Sequence, residues 1–570
     1  MRKFFLFSLL LISCSQSPGY NPSTRQGKYG GYLYLATTSD PKSFNPILAK
    51  ETSTTQITSL IFEGLTRINA ETLEVEPNLA SRWDVSSDGK VWTFYLRKDV
   101  KWNDGEEFTA DDVVFTFNQL IYNPQIPSSA GDILKIEGKP FKVEKIDKYT
   151  VRFTLPGVYA PFLMAMGQEI LPKHKLEEIV KQGKFNTAWT LAEDLQNIVG
   201  TGPFMLKKYI PGQLIELERN PYYWKKDKQG NQLPYLQGIR FIVVQNQDTA
   251  LLKFLDKEVD YYPMRGEDFP LLKPLEKKEG FKIYLSGPAF GSNFIVFNQN
   301  IEVNPRTKKP YVKPYKLKWF CDKRFRQAIS YALDRKSMID IVLNGFGYPQ
   351  YGPMSPSSGY FYNPDVHTYP YNPDKARQLL VGMGLMDRNK DGFLEDEQGH
   401  RVEFNLYTNA ENPIRIKICE IIKHDLKKIG IKVNFLPLEF NNLVSKLVAD
   451  YDWEAVVIGF TGGIEPHFGS NVWLSSGHLH AWYPKQKSPA TWWEKELDEI
   501  FVKGVQILDK KQRKKLYDKW QEIASDELPL IYTVLAESMF AIRNKFGNLK
   551  PTPYGGAFHN IEEIYISIRR

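Results

Sequence analysis

Apolar and polar positions alternate in strand fashion from Tyr32 to Ala36, and Glu51 to Leu65 carries a helical pattern that Gly64 should end. Trp83 to Val85 and Val91 to Leu96 are two strand-like runs. Ser86-Ser87-Asp88-Gly89-Lys90 lies between them as a turn, which predicts a hairpin. Thr109 is placed to cap a helix that begins Ala110-Asp111-Asp112 and buries Val113, Val114 and Phe117. A second hairpin is predicted between Phe141 and Leu155. Strands through Leu206 and Leu214 to Glu218 follow the tight turn Gly200–Phe204. Gly238–Gln245, Asp248–Lys257 and Val259–Tyr262 then read as strand, helix and strand, a βαβ unit.

The pattern repeats in the second half. Helices are expected over Asp322–Leu333 and Lys336–Leu343, and another opens at Asn372-Pro373-Asp374, with Asn as cap and Pro at the first helical position. Val402–Tyr407 is a strand. Pro413–Lys428 is an amphipathic helix with Ile414, Ile418, Ile421 or Ile422, Leu426 and Ile429 inward, and Gly430 ends it. Ile431–Leu436, Asn441–Ala449 and Trp453–Phe460 complete a β-α-β-α-β order, the signature of a doubly wound sheet. Helices over Trp493–Ile507 and Lys511–Ala524 and a strand over Pro529–Val534 close the chain.

With 570 residues the chain can hold two to four domains. Aromatic residues make up 14%, enough to line a ligand cleft as well as fill cores. The net charge of +8 is spread along the chain without a basic arm, which argues against a nucleic-acid partner. Residues 1–14, MRKFFLFSLLLISC, read as a basic start and a short apolar run too brief to span a bilayer. Leu11-Ile12-Ser13-Cys14 matches a bacterial lipobox, so residues 1–13 are expected to be a lipoprotein signal peptide, Cys14 the lipidated residue and 14–28 a polar tether. Cys321 and Cys419 are either an exported disulfide or two buried thiols; spacing alone leaves both open.

The strand Trp453–Phe460 runs into Thr461-Gly462-Gly463-Ile464-Glu465-Pro466-His467. Ligands of open α/β sheets bind beyond the carboxyl ends of strands, and glycines let backbone groups approach them closely. Trp473, His478, His480 and Trp482 follow, so rings and polar groups of a small-molecule site are concentrated here. Phe460, Thr461, Gly462, Gly463, Glu465, His467, Trp473 and Trp482 are therefore the candidate ligand residues, together with Asn293. His467, His478 and His480 with Glu465 would make a metal site only if they converged, and no metal is expected. Asp387-Arg388-Asn389-Lys390-Asp391-Gly392 resembles the start of a calcium loop, but position 12 is Gln398, and a turn is the expectation. No nucleophile elbow, P-loop or dinucleotide fingerprint is present, so neither an enzyme nor a cofactor is expected.

Ala80-Ser81-Arg82-Trp83, Asp88–Arg97, Trp102-Asn103-Asp104-Gly105 and Phe108–Val113 together resemble the signature of the extracellular solute-binding protein family 5, the peptide- and nickel-type receptors of ABC importers. Gly200–Phe204, Asn220–Trp224, Phe325–Ile329, Ala332–Arg335 and Tyr371–Ala376 extend the resemblance over about 30–565. It implies a periplasmic-binding-protein-like α/β fold, with two α/β lobes around a hinged cleft and an extra small α+β lobe. The expected division is 29–70, 196–288 and 533–570 for lobe I, 71–195 for the small lobe and 289–532 for lobe II, with crossings near Ser286–Asn293 and Tyr532–Glu537. It also implies a monomer, tethered by lipid to a membrane and facing the periplasm or exterior, that hands a peptide-like solute to permease and ATPase subunits. A non-peptide solute (oligosaccharide, opine or metal chelate) and a surface receptor or adhesin are the alternatives. In the peptide receptors an Asp that pairs with the ligand's α-ammonium occupies the position matching Gly463; Glu465 is the nearest carboxylate here.

Overall fold

The computed structural model describes residues 29–567 apart from 50, 129, 137 and 306, so the leader, Cys14 and the whole of the tether lie outside the described residues. Its architecture is α/β. A five-stranded sheet has the order Lys432–Leu438, Glu403–Asn409, Ala455–Phe460, Ser292–Phe297, Leu530–Tyr532. The first three strands are parallel and the last two antiparallel to their neighbours, so the sheet is mixed, with a parallel half wound as its β-α-β-α-β order predicts. The helix Pro413–Lys428 forms over the residues expected, because Asn412 accepts from the Arg415 N–H at 3.0 Å and Pro413 stands where no donor is needed. Ile418, Ile422, Leu426 and Ile429 are its buried stripe.

A four-stranded sheet holds Tyr32–Thr37, Gly238–Val243, Leu214–Arg219 and Phe204–Ile210 in that order. A third sheet pairs Tyr261–Pro263 and Phe281–Pro288 with the long strand Val534–Arg543. The expected βαβ unit is not formed. Gly238–Val243 pairs in parallel with Tyr32–Thr37, whereas Tyr261–Pro263 joins the other sheet, because each strand finds its partner far away in sequence. The chain passes between the third and the five-stranded sheets twice, at 289–291 and at Thr533.

Ala80–Val85, Val91–Leu96, Thr150–Thr154 and Lys142–Asp147, in that order, form a separate antiparallel sheet. Its helix Ala110–Phe115 starts in a capping box, with the Asp112 carboxylate accepting from the Thr109 N–H at 2.9 Å. The helix expected over Glu51–Leu65 covers only Thr52–Thr58. Beyond it the chain turns so that the Leu65 N–H bonds the Met166 carbonyl at 2.9 Å, and Gly64 lies against Gly167, whose carbonyl carbon is 2.5 Å from where a Cβ would stand. Among the described residues no helix is long and apolar enough to cross a membrane.

Candidate functional site

The carboxyl end of Ala455–Phe460 opens into the segment 461–468, which contributes lining to two spaces. The larger is a cavity of about 920 Å³. One wall is Leu33, Leu35, Ile239 and Phe241 from the paired parallel strands of the four-stranded sheet. The opposite wall is Gly462, Gly463, Ile464, Glu465 and Phe468. Between them lie Glu63, Arg67, Tyr223, Lys225 and Glu562. The smaller space, about 350 Å³, runs beneath the same loop and is mostly apolar, with Met354, Phe460, Trp473, Trp520 and Tyr532 around it.

Gly462 adopts φ +69°, and a Cβ there would stand 2.1 Å from the Phe290 carbonyl oxygen, so only glycine fits. Gly463 is different: an added Cβ would meet nothing within 4 Å. Position 463 is thus open, and empty of side chain.

Glu465 does not fill that role. It is buried, its carboxylate is ion-paired with the equally buried Arg513, and it accepts from the His467 N–H at 3.1 Å. Arg513 is held in turn by the Gly504 carbonyl at 2.9 Å. Glu465 therefore fixes the loop from behind.

Of the candidate residues, Phe460, Thr461, Gly462, Gly463, Glu465 and Trp473 line one or both spaces. Three do not. The His467 ring packs edge-on against Tyr159 at 5.6 Å, and burial together with Arg513 lowers its pKa to about 4. Asn293 uses its side-chain carbonyl to accept from Arg415 at 2.9 Å. Trp482 is 1% exposed, and its indole N–H donates to Glu494 at 3.0 Å. The three histidines do not converge: His478 is exposed, and the buried His480 bonds the Val472 carbonyl at 3.1 Å. Among the described residues no three His, Cys, Asp or Glu side chains gather as metal ligands. Asp387–Gly392 closes on itself as a turn, the Gly392 N–H donating to Asp387 at 3.0 Å. Cys321 is exposed and Cys419 buried, both as free thiols.

The Trp482 network sets a pH dependence. Burial works to raise the Glu494 carboxyl, but the His480 ring 3.7 Å away and donors from Trp482, Gln486 and the Ala490 N–H outweigh it and hold the group at about 2, below the usual 4.5. A carboxyl depressed in the folded state stabilises fully above its unfolded value and loses that contribution as pH falls through its folded value. Urea midpoints should therefore fall between about pH 4.5 and pH 2, and Glu494→Gln should lower the midpoint at pH 7 and flatten this acid limb.

Sequence reasoning found one wall of the cavity and missed the other. Glu63, Arg67, Lys225 and Glu562 come from segments far apart. Arg67 donates to Glu562 at 3.1 Å, and so does Lys225 at 3.0 Å, across separations of 495 and 337 residues. The one local signal was Asn220–Trp224, beside Lys225: the Trp224 indole donates to Glu63 at 3.0 Å.

A glycine-rich loop that faces a second sheet across a cavity is an arrangement suited to holding a small solute. Residues 74–480 match the model described as bacterial extracellular solute-binding proteins, family 5 Middle, and the chain belongs to that family. It is 29% identical over 537 residues to a probable ABC transporter-binding protein of Deinococcus radiodurans, covering 90% of this chain and 88% of that one. It is also 29% identical over 583 residues to the oligopeptide-binding protein AppA of Bacillus subtilis, covering 99% and 97%. The structure of that AppA in complex with a nonapeptide superposes with a TM-score of 0.74 at 28% identity, covering 95% of this chain and all of the other.

Proposed function

We propose that this chain captures a short peptide or peptide-like solute in the cavity behind Gly462 and Gly463 and delivers it, chemically unchanged, to the permease and ATPase subunits of an ABC importer. The carrying observation is the cavity of about 920 Å³ enclosed between the loop 461–468 and the wall Leu33, Leu35, Ile239 and Phe241. Its size suits a ligand of several residues, and the smaller apolar space beside it offers room for one large side group. The AppA complex with a nonapeptide supports the peptide reading.

In this reading the segments 29–70, 196–288 and 533–570 form one lobe and 289–532 the other, 71–195 is an accessory lobe, and the two passages at 289–291 and Thr533 are the hinge. Cys14 carries the lipid that keeps the monomer at the membrane, outside the cytoplasm. Titration calorimetry with a mixture of short peptides tests the proposal. One site per chain, with peptides recovered intact, is the expected result; turnover, or no heat with any peptide, contradicts it.

The open position at Gly463 makes a constructive test. Gly463→Asp should fold normally, since the added Cβ has free space and the backbone is not left-handed. A charge-assisted bond to a ligand ammonium should then tighten free-amine peptides by about tenfold. N-acetylated peptides should not gain.

A further inference from the structure

The chain as a whole carries a net charge of +8, yet its cavity is acidic. Glu63, Glu169, Glu465 and Glu562 line it against Arg67 and Lys225. Glu465 is neutralised by Arg513, and Arg67 is shared with Glu76 behind it. With Glu169 set aside, since it has a partner of its own, four carboxylates (Glu63, Glu76, Glu465 and Glu562) meet three cations (Arg67, Lys225 and Arg513). Arg67 and Lys225 both spend themselves on Glu562, at 3.1 and 3.0 Å. Among the described residues Glu63 has no ion pair; it accepts from the neutral indole of Trp224 at 3.0 Å. Burial pushes its carboxyl above the usual carboxylate range, and the nearby Lys225 charge, itself paired with Glu562, does not offset that. The rings of Tyr223, Tyr261 and Phe558 lie around the same space, and aromatic faces attract cations as well.

We infer that the ligand carries a cationic side group, and that Glu63, which lines the cavity between its two walls, is the carboxylate that meets it. This rests on the reading of the cavity as a peptide-type site and specifies the class of peptide: one with an amine or guanidinium in excess of its acids. A carboxylate surrounded by low-dielectric walls discriminates by charge more strongly than the same group in water.

The test uses trialanine variants with the mature protein: the three single-Lys tripeptides, the three single-Glu tripeptides and trialanine itself. At least one Lys peptide should bind about tenfold or more tighter than every Glu peptide at low salt, with the gap narrowing as ionic strength rises. Glu63→Gln, which keeps an acceptor for the Trp224 indole, should shrink the gap at least about threefold. Equal affinity for Lys and Glu peptides overturns the charge inference and leaves peptide capture standing. An unchanged gap in Glu63→Gln overturns the role of Glu63. Failure of all seven peptides to bind overturns the peptide reading, and this inference with it. If Glu63→Gln does not fold, the wild-type Lys-to-Glu ratio and its salt dependence decide the matter alone.

Discussion

Arg513→Ala should lower the unfolding free energy by about 3–5 kcal/mol, the largest loss expected from any single change near the site. The reason is asymmetric. The ion pair itself adds little net stability, since both charges leave water to form it. Removing the guanidinium alone, however, strands the Glu465 carboxylate at 5% exposure with the His467 N–H as its remaining donor among the described residues. The Gly504 carbonyl loses its partner too. Arg513→Met combined with Glu465→Gln should recover at least half of the loss, because no buried charge is then left unpaired and the amide still accepts from His467. Guanidinium denaturation of the three proteins checks this. A loss below about 1 kcal/mol for Arg513→Ala would mean that water reaches Glu465 and that the loop is not anchored from behind.

Gly462→Ala should cost at least about tenfold in ligand affinity, while Gly463→Ala, one residue on, should be nearly neutral. A left-handed conformation costs a non-glycine residue about 1–2 kcal/mol before any contact is counted. The new methyl would also stand 2.1 Å from the Phe290 carbonyl oxygen, which is backbone and cannot rotate away. Relief requires the loop to move off the first inter-sheet passage, so the damage falls on both the cavity wall and the segment proposed as a hinge. At Gly463 neither penalty applies, since φ is not left-handed and the added carbon meets nothing within 4 Å. Calorimetry on the pair separates a shaped loop from one that merely tolerates glycines.

What could be read along the chain follows from how local the cause was. Pro413–Lys428 was legible to its ends because the Asn412 cap, Pro413 and Gly430 are all within its own sequence. The hairpin Ala80–Leu96 was legible for the same reason. The helix at Thr52–Thr58 stops early for a reason outside it, the packing of Gly64 on Gly167. The βαβ reading failed because periodicity says that a strand exists and not which strand it pairs with. In the site, the glycine loop was visible as glycines and rings after a strand. His467 and Trp482 carried the same signature and went elsewhere, because a buried ring that packs on Tyr159 or bonds Glu494 has the same residue type as one that lines a cavity. The acidic wall was invisible, since Arg67 and Glu562 meet only in three dimensions.

The central claim is that the cavity holds a peptide-type solute, and its most direct test is mass spectrometry of whatever the purified mature protein releases on denaturation. The account predicts short peptides, one per chain, enriched in Lys and Arg over Asp and Glu. A single oligosaccharide, opine or metal chelate in their place would contradict the peptide assignment and give the cavity a different cargo.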